Sequence, residues 1–171
     1  MTGITKHLHR SGWKCPSNIA LVKYWGKRDF QKPMNPSLSF VLQKAYTETS
    51  VVLNKNGGQK VEYYFDGKIS QFGERIEKYL DYISSKLSWV SKYNFIIHSV
   101  NSFPHSAGIA SSASSFGALA LCLTELDFSF SGRETGNAEF WKEASELARM
   151  GSGSACRSVF PGFSIWGQTQ L

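Results

Sequence analysis

The 171 residues contain no apolar run of the ~18 residues that a membrane-spanning helix needs. The first ten residues, Met1-Thr-Gly-Ile-Thr-Lys-His-Leu-His-Arg10, lack the apolar core of a secretory signal. Cysteine is scarce. Cys15, Cys122 and Cys156 form an odd, widely spaced set without a Cys-x-x-Cys pair, which points to free thiols in a reducing cytoplasm. No partnered histidine is evident for a cysteine nucleophile. Long basic runs are missing as well. The net charge of +6 invites a nucleic-acid reading, but lysine and arginine are dispersed and no basic run exceeds Lys27-Arg28. A polyanionic small molecule suits scattered cations equally well, so charge alone does not decide. There is no Gly-x-x-x-x-Gly-Lys-[Ser/Thr] loop, no internal repeat and no low-complexity tract.

What is present is organised around Asn101 to Ala120. A β-branched and aromatic run, Tyr93–Val100, reads as a buried strand. Ala113–Leu126, rich in Ala and Leu, reads as a helix. A strand thus runs through a loop of small residues into a helix, a geometry that directs free N–H groups and the positive helix end at one spot. Gly108 and the serines keep bulk away, so that backbone can approach an anion. The competing reading is a Ser/Ala-rich helix packed tightly on a sheet, with Ser as N-cap.

On either side the pattern predicts an α+β two-layer domain. His7–Ser17 reads as extended, with a chain turn imposed by Pro16 before Asn18. Ile19–Trp25 follows as an apolar segment. Ser37–Leu42, Thr47–Leu53 and Lys60–Phe65 read as strands, with turns at Asn56-Gly57-Gly58 and Asp66-Gly67. Ile69–Trp89 has helical spacing, with Phe72, Ile76, Tyr79, Leu80, Ile83 and Leu87 inward; Arg75 then belongs to the solvated face. A polar connector, Leu126–Asn137, leads to a helix over Ala138–Met150 and a last strand over Ser158–Trp166. Between them, Gly151-Ser-Gly-Ser-Ala-Cys-Arg157 reads either as a helix C-cap and turn or as backbone brought close to an anionic ligand, with Arg157 placed for carboxylate or phosphate.

Three separated motifs closely resemble the diphosphomevalonate decarboxylases of the GHMP kinase superfamily. They are Pro16-Ser-Asn-Ile-Ala-Leu-Val-Lys-Tyr-Trp-Gly-Lys-Arg-Asp29, Phe103-Pro-His-Ser-Ala-Gly-Ile-Ala-Ser-Ser-Ala113 and Gly151-Ser-Gly-Ser-Ala-Cys-Arg-Ser158. The resemblance runs from about Ser11 to Trp166 and implies the ribosomal protein S5 domain 2-like α+β fold of that superfamily's N-terminal domain. It implies a cytoplasmic enzyme, often a homodimer, without nucleic-acid or membrane partners. With ATP and Mg²⁺, such an enzyme phosphorylates the C3 hydroxyl of mevalonate 5-diphosphate, then releases phosphate and CO₂ to give isopentenyl diphosphate. By the same resemblance Lys23, Ser106, Ala107, Gly108, Ile109, Ala110, Ser111 and Ser112 hold the ATP phosphates, Ser112 mattering most for transfer. Tyr24, Lys27, Arg75, Ser152, Ser154 and Arg157 bind the diphosphate and carboxylate ends of the substrate. Asn18 holds Arg157 or the substrate carboxylate in register. The resemblance assigns no metal ligand. It moves residues 101–120 to the phosphate-loop reading, and Gly151 and Arg75 from structural to ligand-facing roles.

The chain departs from the family pattern in places. His105-Ser106 stands where many members have Thr-Ala, and Ser114-Ser115 where Ala-Gly is usual, which predicts slightly altered helix packing. The connector around Ser129–Ala138 is longer. Members are roughly twice this length, and their second domain supplies the aspartate base for the C3 hydroxyl, which no residue here matches; Asp29 belongs to the first motif and is no substitute. The expectation is therefore an N-terminal domain, truncated and inactive alone. Two alternatives stay open: a related kinase that does not decarboxylate, and a non-catalytic phosphate- or nucleic-acid-binding module.

Overall fold

The structure, a computed structural model, describes residues 9–26, 29, 32–55, 58–104 and 111–167. Its frame is a mixed sheet with helices against one face. The strands are β1 (Arg10–Val22), β2 (Ser37–Asn54), β3 (Val61–Phe65), β4 (Lys68–Ile69), β5 (Asn94–Asn101) and β6 (Phe163–Trp166). The helices are α1 (Phe72–Ile83), α2 (Ser111–Ser131) and α3 (Ala138–Gly151), with 3₁₀ turns at Ser88–Lys92 and Gly153–Arg157. This is the α+β two-layer arrangement that the sequence predicts.

The long strand β2 is the spine. Along one side it pairs antiparallel with β1, and along the other with β5 through its second half and β6 through its first. Beyond β5 the sheet continues to β3, parallel, and then β4. Two expectations change here. The strands over Ser37–Leu42 and Thr47–Leu53 are halves of one strand, and Pro16 does not turn the chain. β1 passes straight through Pro16, and the irregularity appears as a register shift, the partner stepping from Tyr46 at Pro16 to Leu42 at Ser17. A residue without an N–H is tolerated in a strand at such a break.

Element ends move for local reasons. Ile69 pairs with Tyr64 in the β3–β4 hairpin across Asp66-Gly67, so α1 starts later than the spacing suggests. It stops at Ile83, where Ser84 Oγ donates to the Asp81 carbonyl at 2.7 Å and competes with the helical pattern. In contrast, α2 runs on to Ser131 through what reads as connector. Phe128 packs edge-on to Phe140, the Trp89 indole donates to Asp127, and Phe130 stacks on Tyr93. For α3, Asn137 Oδ1 accepts from the Phe140 amide at 2.9 Å as N-cap. The last strand is short because Pro161-Gly162 precedes it, with Gly162 at φ +71°.

The sequence makes α2 apolar nearly all round, and it is buried accordingly between β1, β2 and α3. Glycine sets how close it comes. A Cβ at Gly117 would lie 2.4 Å from Cys15 Sγ, and one at Gly151 would lie 2.1 Å from the Phe116 ring. The buried Ser114, one of the departures in this helix, has its hydroxyl 2.7 Å from Thr47 Oγ1, which lies 2.8 Å from Asn101 Oδ1. A polar contact between helix and sheet thus replaces an apolar one.

Candidate active site

Two chain ends converge beside the sheet. The first is the described start of the 21-residue α2 at Ser111-Ser112. The second is the turn Gly153–Arg157 that follows α3. Ser112 Oγ lies 3.4 Å from Ser152 Oγ, and Ser152 Oγ lies 3.5 Å from Ser154 Oγ. A short line of hydroxyls therefore joins the helix start to the turn. The turn is fastened to β1 by Asn18, whose Nδ2 donates to the Ser154 carbonyl at 3.0 Å and to Ser158 Oγ at 2.7 Å. Ser145 Oγ, on α3, donates to the Cys156 carbonyl at 3.1 Å.

The turn delivers Arg157 to a buried position, 3% exposed. Nη1 donates to Ser37 Oγ, which itself donates to the Val22 carbonyl at 2.6 Å. The guanidinium lies over the rings of Trp166 (5.3 Å) and Tyr24 (5.8 Å), which pack edge-to-face. Nε has no hydrogen-bond partner, and no carboxylate forms an ion pair with Arg157 among the described residues. Burial lowers its pKa, opposed by Cys156 and Tyr24, yet an arginine does not give up its proton in a protein. A charge removed from water without an anion is costly. Two more buried hydroxyls without partners among the described residues, Ser39 and Ser164, are register neighbours on the two strands that carry Ser37 and Trp166. Such a set can receive an anion with several oxygens.

Residues 15–171 match the family described as the diphosphomevalonate decarboxylase-like N-terminal domain. The chain belongs to that family. A diphosphomevalonate decarboxylase of Ganoderma lucidum is 34% identical over 171 residues, 91% of this chain and 41% of the relative. The mevalonate diphosphate decarboxylase of Staphylococcus aureus superposes with a TM-score of 0.79 at 38% identity, over 94% of this chain and 46% of that one. A structure of MDDEF in complex with MVAPP, AMPPCP and magnesium gives a TM-score of 0.78 at 34% identity, over 94% and 47% of the two chains. The chain thus spans less than half the length of these relatives.

Set against the decarboxylase pattern, the predicted residues fall into three groups. Ser112, Ser152 and Ser154 lie within hydroxyl reach of one another, and Asn18 ties Arg157's turn to β1. Asn18 donates to the turn's backbone and to Ser158, next to Arg157 in the chain. Tyr24 stands over Arg157, while Lys23 is exposed and its carbonyl accepts from Asn35 Nδ2 at 3.1 Å. Arg75 is exposed, as helical spacing alone predicts, with its guanidinium over Phe72 (5.5 Å) and Phe116 (5.1 Å). Phe116 is the ring against which Gly151 rests, so Gly151 is small to admit a neighbouring side chain. Lys27, Ser106, Ala107, Gly108, Ile109 and Ala110 lie outside the described residues, as do His105, Asn56 and Gly57.

Sequence reasoning missed Ser37, Asn35, Ser158 and Trp166. No sequence signal marked them: Ser37-Leu-Ser-Phe40 alternates like an ordinary half-buried strand, and only the structure shows that its serines are the buried face. No group of three His, Cys, Asp or Glu side chains able to hold a metal ion occurs among the described residues.

Proposed function

We propose that this chain is the nucleotide- and substrate-holding domain of an ATP-dependent decarboxylase acting on mevalonate 5-diphosphate. The observation that carries the reading is Arg157: a buried guanidinium, braced on three sides by Ser37, Tyr24 and Trp166, with no acidic partner among the described residues. It would take the substrate carboxylate or diphosphate by charge-assisted hydrogen bonds. Ser152 and Ser154 would bind the adjoining oxygens. The Ser112 hydroxyl and the first amides of α2 would face the phosphoryl group in transfer, where the helix end favours negative charge. Mg²⁺, when bound, would neutralise charge on the phosphates during transfer.

The chemistry suits this division. Hydroxide leaves a tertiary carbon poorly, whereas phosphate leaves with the C–O electron pair. The cationic carbon so formed accepts the pair of the C–C bond to the carboxylate, releasing CO₂ and forming the alkene of isopentenyl diphosphate. The base that removes the C3 hydroxyl proton would be the aspartate of a second domain, as the resemblance to the family implies. Incubation with ATP and mevalonate 5-diphosphate, followed by mass spectrometry of the products, tests the proposal. The expected result is no turnover by the chain alone. Isopentenyl diphosphate, ADP and phosphate should form when the chain is continued by the following half of the S. aureus relative. Accumulation of a stable 3-phospho species would favour a kinase, and binding indifferent to substrate but steeply salt-dependent on nucleic acid would favour a binding module.

A further inference from the structure

Two arginines of this chain lie against aromatic rings and spend their N–H groups differently. Arg133 lies 3.8 Å over Phe128 and donates to Asp127, Glu139 and Glu143, so its guanidinium is committed to a clamp between α2 and α3. Arg157 is the more deeply buried of the two, yet it meets no carboxylate among the described residues. In place of acids it has two rings. Trp166 lies 5.3 Å from it and Tyr24 5.8 Å, and because the rings stand at 81° to each other the guanidinium sits in an aromatic corner. A ring face attracts a cation through its quadrupole but offers no carboxylate oxygen to its N–H groups.

Proton counting shows which edge stays open. Ser37 has one hydroxyl proton, and it goes to the Val22 carbonyl at 2.6 Å, so toward Arg157 Nη1 this hydroxyl accepts. Nη1 lies off the side on which Nε and Nη2 present parallel N–H groups, and Nε is buried without a partner among the described residues. That side is the one suited to an anion with two oxygens. The β2–β6 register sets Trp166 directly opposite Ser37, so one cross-strand pair supplies both the ring and the acceptor. Tyr24 lies beyond the end of β1, outside the ladder, which leaves Trp166 as the wall fixed by strand pairing.

We propose that Trp166 is a positioning residue for anion capture, holding the Arg157 guanidinium by its indole face so that the Nε side stays open to the ligand. The proposal rests on the reading of Arg157 as the substrate anchor. Calorimetric titration of mevalonate 5-diphosphate, and separately of inorganic pyrophosphate, into the parent chain, W166F and W166L tests it, with folding of each verified by urea unfolding. W166L should bind both anions about 5- to 30-fold more weakly, and W166F within about 3-fold of the parent, because phenylalanine keeps a ring face and leucine does not. A second readout does not need the leucine variant to fold. Tryptophan emission of the parent should change on anion binding, because the charge beside the indole is then neutralised, and W166F should bind without that change. Equal affinity in W166L and the parent overturns the proposal, as does an emission change that persists in W166F. W166F as weak as W166L would mark a packing role and overturn it too, and so would a parent chain that binds neither anion. Pyrophosphate binding that follows the expected pattern, with mevalonate 5-diphosphate bound no more tightly, keeps the role of Trp166 and sinks the decarboxylase reading.

Discussion

Arg157 owes its position to small groups. Asn18 satisfies a carbonyl and a hydroxyl of the turn that presents it, and Ser37 meets one guanidinium nitrogen. Removing the Asn18 amide leaves buried acceptors unmet, at a cost of about 1–3 kcal/mol. N18A should therefore lower the urea midpoint and weaken substrate binding together, whereas S152A should affect binding alone. The three thiols tell a different story at the same scale. All are buried, which pushes Cys156 from 9.0 to about 11, Cys122 to about 12 and Cys15 higher still. The folded state thus keeps its thiol protons where the unfolded chain loses them. By linkage, their contribution is intact below pH 9 and is lost as pH rises through the folded values. Stability measured by urea unfolding should fall progressively above pH 9, and native thiols should resist alkylation at pH 8 until the chain unfolds. Rapid alkylation of the folded protein would refute this account of inert, packed cysteines.

At the scale of elements, the helices meet through glycine. Intrinsic propensity favours alanine over glycine in a helix by about 0.8–1 kcal/mol. Here the sign should reverse, because a Cβ at Gly151 meets the Phe116 ring at 2.1 Å and one at Gly117 meets Cys15 Sγ at 2.4 Å. Overpacking of this kind costs about 1–3 kcal/mol. G117A and G151A should each lower stability in urea titration, and C15A should restore much of the loss in G117A but none in G151A. Much of this layer was legible in the sequence. Of the predicted inward stripe, Ile76, Tyr79, Leu80, Ile83 and Leu87 are buried and Phe72 is half-buried against the core, and Asn94–Asn101 is the strand that its β-branched run suggests. Element ends were not legible, because long-range contacts set them. The extension of α2 depends on Trp89 and Phe140, which are far from it in sequence, and the unity of β2 depends on its pairing with β1. Local patterns carry no information about such partners.

For the whole molecule, the three motifs singled out in the sequence are short and contiguous, and residues of each meet: Asn18 from β1, Ser112 from α2, and the Ser152–Arg157 turn. What supports them was not. Ser37 and Trp166 sit on strands whose alternation reads as ordinary until the register shows which face is inward. The same register exposes Phe163 and Ile165 on the other face. The central claim is that a buried, otherwise unneutralised Arg157 is the anchor for an anionic substrate. Calorimetric titration of mevalonate 5-diphosphate into the chain and into R157Q, both verified as folded by urea unfolding, tests it most directly. The account predicts binding by the parent chain and a loss of about 2–5 kcal/mol in the variant, as for removal of one partner of a buried charge pair. Equal affinity in the two proteins would contradict it.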